Sequence, residues 1–109
     1  MKLNIYENKK VVKTYKTEAY EIMWGTLEDI AETVNIDALE SMDRSAIMAL
    51  VLKLVMKNMS EFKRLLKDIF EGLTDEELRN ARVTEISRVM VDVVLYTASQ
   101  LGKEGTEKN

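Results

Sequence analysis

The chain has 109 residues, a formal net charge of −3, and neither cysteine nor histidine. This length fits one domain, and the missing residue types exclude disulfides, thiolate metal sites, a cysteine nucleophile and the commonest general base. We therefore expect no catalytic residues, no metal and no cofactor, and the small negative charge argues against nucleic acid as a partner.

The first 16 residues alternate between apolar and polar side chains, as in a β-strand with one buried face. Leu3 and Ile5 share one face of the first run, which contains no apolar segment typical of a signal peptide. A second β-rich run follows the turn residues Glu7-Asn8-Lys9. This pattern predicts a β-hairpin, which must pack on the rest of the chain because an isolated hairpin is only marginally stable.

Helical periodicity replaces this alternation near Thr17. Thr17 is the predicted N-cap of a short helix that begins at Glu18. Gly25 interrupts the run, and Thr26 is the predicted N-cap of a second helix that continues to about Val34.

The longest predicted helix begins at Asp43 or Ser45 and ends at Glu71. Its centre lies near Leu54, and Asn58 is a point at which it can kink or divide. Its most apolar stretch is interrupted by a lysine and is much shorter than the about 20 residues that a membrane span needs. We therefore expect no contact with a membrane.

A second apolar stripe on this helix is the most informative feature of the sequence. Met48, Leu52 and Met56 follow one another at i, i+4 and i+8, and Met59 extends the stripe. These four residues either pack in the core or form an interface with a partner or a second copy, and the sequence leaves both readings open. Because two apolar faces need more cover than a small monomer supplies, we expect a homo-oligomer, either a dimer or a larger ring.

The last third of the chain contains residues that mark where helices end and begin. Gly72 is placed as the end of the long helix, and Thr74 with Glu77 forms a capping-box pattern for a short helix. The final helix is predicted over residues 84–101, with Gly102 as its end. Its valines would also suit a strand, but the i, i+3, i+4 spacing and the length favour a helix.

These elements together predict a mainly α fold, with an N-terminal β-hairpin packed on a bundle of four to five helices. We expect a single domain over residues 1–102 and a flexible polar tail over residues 103–109.

Two charged clusters have structural explanations that compete with ligand binding. The acidic run Asp75-Glu76-Glu77 could attract a hard cation, but it lies in the first turn of a helix, where acidic side chains are stabilising. The lysine-rich hairpin could hold a nucleic-acid strand, with Tyr6 and Tyr15 stacking on bases. A solvated hairpin face explains it more simply.

Several segments resemble one family. The segment LLKDIFEGLTDEEL at residues 65–78, followed by VTEI at 83–86, resembles the tail assembly chaperones of long-tailed phages and prophages of Gram-positive bacteria. Residues 2–15 and the segment MWGTLED at 23–29 are similar to the start of the same proteins. The resemblance spans nearly the whole chain, and this chain departs from the family at Glu71, where the family has a proline.

The resemblance implies a function in virion morphogenesis. Such chaperones coat the long, helical tape measure protein in the host cytoplasm and keep it soluble until the major tail protein displaces them. They are not part of the mature virion. Many are made in two forms, the longer through ribosomal frameshifting. We therefore expect the tape measure protein as partner, the major tail protein as a second partner through a longer form, and no enzymatic activity.

Two other classes stay open. The chain could be a small helical adaptor or antitoxin-like regulator that binds one protein, and a tape measure gene beside its own would separate this reading from the chaperone. It could also be a small nucleic-acid-binding regulator that uses the basic hairpin, which would shift DNA in a salt-dependent way.

Overall fold

The computed structural model describes residues 1–103. Within them the predicted fold class is confirmed, because a two-stranded antiparallel hairpin precedes five α-helices. The elements are β1 (Lys2–Glu7), β2 (Lys10–Lys16), α1 (Trp24–Thr33), α2 (Arg44–Lys57), α3 (Met59–Ile69), α4 (Asp75–Arg79) and α5 (Val83–Thr97). Two short 3₁₀ turns, Ala19–Glu21 and Ile36–Ser41, flank α1. In this part of the chain, no helix is long and apolar enough to cross a membrane.

The hairpin closes through a two-residue turn. Asn8 (φ 53°) and Lys9 (φ 67°) both take positive φ angles, as a type I′ turn requires. Leu3 and Ile5 are buried, as their alternation predicted. The Tyr6 N–H donates to the carbonyl of the residue after α4 at 2.9 Å, which ties β1 to the α4–α5 connection. The hairpin therefore packs on the helices through β1, while β2 stays largely exposed.

The region after the hairpin forms one α-helix where the sequence predicted two. Only a 3₁₀ turn precedes α1, and its N-cap residue is Glu18, not Thr17. The helix begins at Trp24 and includes Gly25 in its first turn, so this glycine does not break it. The Met23 carbonyl accepts the first helical N–H group at 3.0 Å. Because main-chain atoms cap this helix, no side-chain signature marks its start.

The longest predicted helix is in fact two helices. Its start at Asp43 is confirmed, since the Asp43 carboxylate accepts the Ala46 N–H at 2.8 Å. The chain then leaves helical geometry at Asn58 (φ −126°, ψ 52°), so α2 and α3 replace a single helix running to Glu71. The Asn58 amide donates to the Leu54 carbonyl at 3.3 Å, a local bond by which asparagine competes with helix continuation.

A tight turn and a capping box join α3 to α4. The Leu73 N–H donates to the Phe70 carbonyl at 3.1 Å, and Gly72 sits in this turn at φ 90°. Gly72 thus lies two residues beyond the C-cap residue Phe70, one position later than expected. The predicted capping box is confirmed, because the Glu77 N–H donates to the Thr74 hydroxyl and the Thr74 N–H donates to the Glu77 carboxylate, both at 3.1 Å.

Helix α5 occupies the centre of the core and is a helix, as predicted. Its buried residues are Ser87, Val89, Met90, Val91, Val93, Val94 and Thr97. It packs against β1, α1 and α2. With 15 residues it is the longest helix among residues 1–103, so the prediction that the longest helix is centred on Leu54 is wrong. By contrast, α2 buries only Ile47 and Val51, and its other side faces outward.

The end of the last helix also differs from the prediction. A π-helical segment, Ala98–Lys103, continues α5 past Gly102, where the sequence placed the end. Ala98, at the junction, keeps helical angles (φ −60°, ψ −42°), so the chain continues along the helical path. Residues 104–109, which make up most of the predicted tail, lie outside the described residues.

Candidate protein-binding groove

The outward side of α2 carries the residues that the sequence left open between core and interface. Met56 and Met59 are 67 % and 54 % exposed, and Leu52 is 36 % exposed. Met48 is half-buried and packs against the core. Core packing therefore accounts for Met48, whereas the other three side chains leave apolar surface uncovered within the monomer.

These three side chains line an open groove of about 310 Å³. One wall comes from α2 and the start of α3, and the other from α4 and the start of α5. Met56 and Met59 stand on either side of the break at Asn58, so the turn between the two helices brings both thioether side chains to the same opening. Asn58 is therefore the residue that shapes this end of the groove.

The opposite wall was missed by sequence reasoning. Val83, 64 % exposed, is the first residue of α5, and Ile86 follows at i+3 on the same side of the helix. The buried side chains of Leu66 and Leu78 form the floor between the two walls. The apolar spacing of Val83 and Ile86 was visible, but local periodicity does not show which helix another helix lies beside.

The groove has a cationic rim. Lys63 and Arg79 are the ionisable residues of its lining, and neither belongs to a salt bridge within residues 1–103. Nearby, Lys67 and Asp75 form an ion pair at 2.6 Å that connects α3 to α4 and lowers the pKa of Asp75. An apolar trough with positive charge at its edge suits a ligand that is apolar along one stripe and acidic beside it.

Glu77 anchors the hairpin to α4. The Tyr15 hydroxyl and the Lys13 ammonium, the latter at 2.9 Å, both donate to its carboxylate. These bonds, led by that of Tyr15 and supported by the backbone N–H of Thr74, lower the pKa of Glu77 to about 2. Lys13 is thus held against α4, although the sequence placed it on a solvated face.

Tyr6 and Tyr15, the two side chains that could have stacked on nucleic-acid bases, have partners within the protein. The Tyr6 hydroxyl donates to the Glu85 carboxylate, and the Arg82 guanidinium lies 4.1 Å from the centre of the Tyr6 ring. Tyr15 bonds Glu77 and packs near a core phenylalanine. The basic hairpin therefore does not present a free aromatic platform through these two residues.

A larger polar cleft of about 630 Å³ lies between the hairpin and α5. Its lining holds cationic and acidic side chains together: Lys2, Lys16, Arg82 and Arg88 with Glu18, Glu85 and Asp92. Among residues 1–103, no group of three or more acidic, cysteine or histidine side chains is arranged to hold a metal ion. The apolar groove is the concave surface with the clearer ligand preference.

Comparisons with known proteins add no relative: no protein-family model, curated protein or solved structure matches the chain.

Proposed function

We propose that this protein is a tail assembly chaperone that binds the tape measure protein during phage tail morphogenesis and keeps it soluble. The observation that carries the proposal is the open apolar groove between α2 and α5, whose side chains are exposed in the monomer. The sequence resemblance to tail assembly chaperones of Gram-positive phages and prophages supplies the identity of the partner.

The groove suits an amphipathic helix. Such a helix presents apolar anchors at i, i+3 or i+4, and i+7, which match a trough between two helical walls. Methionine adapts its shape to different anchors, so Met56 and Met59 can accept successive turns of a long client that are not identical in sequence. Lys63 and Arg79 on the rim favour turns that carry acidic residues beside the apolar stripe.

In this proposal the protein acts by binding alone and has no enzymatic activity. It works in the host cytoplasm, is released when the major tail protein takes its place on the client, and is not part of the mature virion. A longer form made by frameshifting would bring the major tail protein to the client. Reading the codons of residues 101–104 for a slippery run and an overlapping frame tests that extension separately.

The test is co-expression with the tape measure protein encoded beside the chain's own gene. We expect the wild-type protein to move most of the tape measure protein into the soluble fraction and to co-purify with it. Met56→Asp places a charge in the groove and should lower the recovered complex at least about tenfold, because a carboxylate is costly to bury against an apolar helix. Met56 is two thirds exposed, so the variant should keep its helicity.

A matched control is Ser60→Asp, which introduces the same charge at an exposed position of α3 that does not line the groove. This variant should solubilise the client as well as the wild type does. Failure of the folded wild-type protein to solubilise the neighbouring tape measure protein would reject the chaperone function. A stable complex with a different neighbouring protein would instead support the adaptor or antitoxin-like class.

A further inference from the structure

A second exposed apolar surface lies at the start of α1, outside the groove. Tyr20 and Met23 are both 75 % exposed and Trp24 is 58 % exposed, and we call these three residues the Trp24 ledge. Helix α1 meets α3 through an Asp29–Arg64 ion pair at 3.4 Å. None of the three ledge residues lines the groove, so the ledge is a separate apolar surface.

The Trp24 ledge lies in a strongly acidic part of the chain. Residues 17–43 contain eight acidic residues and no lysine or arginine. Glu18 lines the polar cleft together with Lys16, but Glu21 and Glu28, which also flank the ledge in sequence, are exposed and lie outside that cleft. A partner for the ledge should therefore offer an apolar contact surrounded by positive charge.

The turn end of the hairpin has those properties. Residues 2–16 contain five lysines and one acidic residue. Val11 and Val12 are 50 % and 58 % exposed beside Lys9 and Lys10, and we call these four residues the hairpin tip. The pairing of the strands skips Val12, so this valine is the extra residue of a β-bulge, a feature that redirects side chains away from the regular strand surface.

Within one chain, the hairpin tip does not reach the Trp24 ledge. The hairpin tip lies at one end of β2 and the Trp24 ledge follows the other end, and Val12 alone is about 13 Å from Lys16 along an extended strand. Both ends of the hairpin are fixed, the tip end by the Tyr6–Asn80 bond and the other by the Thr17–Met1 bond. A second copy would therefore offer each of these surfaces a complementary one.

We propose that the hairpin tip of one copy binds the Trp24 ledge of the next. The contact places two exposed valines on an exposed tryptophan, and it opposes lysines to glutamates around that apolar centre. It joins two different surfaces, so it is heterologous: repeated addition either closes a ring or extends a filament. The groove stays open on every copy, which would place a series of identical client sites along the assembly.

The decisive experiment mixes two variants that each lack one surface. Trp24→Asp and Val12→Asp should each sediment as a monomer at concentrations where the wild type associates, with self-affinity weakened at least about 30-fold, as expected for losing a central anchor. When mixed in equal amounts they should form a 1:1 dimer, because one variant keeps an intact tip and the other an intact ledge. Two variants that stay monomeric after mixing, or that associate like the wild type when alone, would overturn the proposal.

Two controls keep the test interpretable. Ser60→Asp adds the same charge at an exposed position of α3, outside the groove, the hairpin tip and the Trp24 ledge, and it should leave association unchanged. If Val12→Asp does not fold, Lys10→Glu at the same hairpin tip replaces it in the mixing experiment. Raising sodium chloride from about 50 to 500 mM should weaken wild-type association about tenfold, since opposed exposed charges are screened.

The same measurements separate this proposal from the chaperone function. Loss of association in Met56→Asp would place the self-contact in the groove and overturn the tip-to-ledge contact. A wild-type protein that stays monomeric at high concentration would also overturn it. Neither result bears on client solubility, which is measured with the tape measure protein alone as partner.

Discussion

At the scale of single residues, Glu77 links three parts of the fold. Its carboxylate accepts bonds from Tyr15 and Lys13 of β2, and its backbone completes the capping box with Thr74. One acidic side chain thus holds the hairpin against the short helix α4. This connection depends on the charge of Glu77, because a protonated carboxyl group no longer pairs with an ammonium group.

The lowered pKa of Glu77 predicts an acid-sensitive stability. Its folded-state pKa of about 2 lies below the ordinary value of 4.5, so the stabilisation is complete above pH 4.5 and is lost as pH falls through 2. Glu77→Gln should therefore lower the urea midpoint at pH 7 and flatten its fall between pH 4.5 and 2. The measurement is denaturation followed by circular dichroism. Glu76→Gln, at an exposed position outside this hydrogen-bond network, is the control, and an equal effect in both variants would contradict the assignment.

Two glycines should respond in opposite ways to alanine. Gly72 has a φ of 90°, which costs an L-residue about 1–2 kcal/mol, so Gly72→Ala should destabilise by that amount. Gly25 lies inside α1 with no atom within 4 Å of an added Cβ, so Gly25→Ala should stabilise by about 0.4–1 kcal/mol. Thermal unfolding of both variants checks the prediction. A destabilised Gly25→Ala would mean that this glycine is needed for the start of α1.

At the scale of elements, the two sides of α2 should differ in their effect on stability. Ile47→Ala removes a buried side chain and should cost about 2–5 kcal/mol. Met56→Ala, in the same helix but on the exposed side, should change the free energy of unfolding by less than about 0.5 kcal/mol. Urea unfolding of the two variants is the measurement. A large loss at Met56 would place that residue in the core and remove it from the groove.

Elements with a local side-chain signature could be predicted from the sequence. Asp43 and the Thr74–Glu77 box mark their helix starts through bonds that span three residues, so the sequence shows both partners. The start of α1 could not be predicted because the main chain of Met23 caps it. The division at Asn58 was recognised only as an option, since an asparagine in a helical pattern either stays in the helix or ends it.

Only one wall of the candidate groove could be recognised from the sequence, for a related reason. The stripe of Leu52, Met56 and Met59 is a property of consecutive residues, and the structure brings these three together in one groove. The burial of these three side chains depended on which helix fills the centre of the fold. In the structure that helix is α5. Val83 and Ile86 complete the groove from the far side, through a packing arrangement that no local pattern encodes.

At the scale of the whole molecule, charge is divided along the chain. The lysine-rich hairpin is followed directly by the acidic stretch that contains α1, so the net charge of −3 conceals two regions of opposite sign. Such a division gives the molecule a preferred orientation as two copies approach, and it affects the rate of encounter more than the lifetime of the contact.

The exposed strand β2 creates a risk of aggregation, and the division of charge along the chain limits that risk. No other strand of residues 1–103 pairs with its outer edge, and an open edge can align with its equivalent in another molecule and begin aggregation. The lysines of β2 would face one another in such a pair, and the bulge at Val12 would spoil its register. The same lysines that would draw a hairpin towards an acidic surface therefore keep it from pairing with a second hairpin.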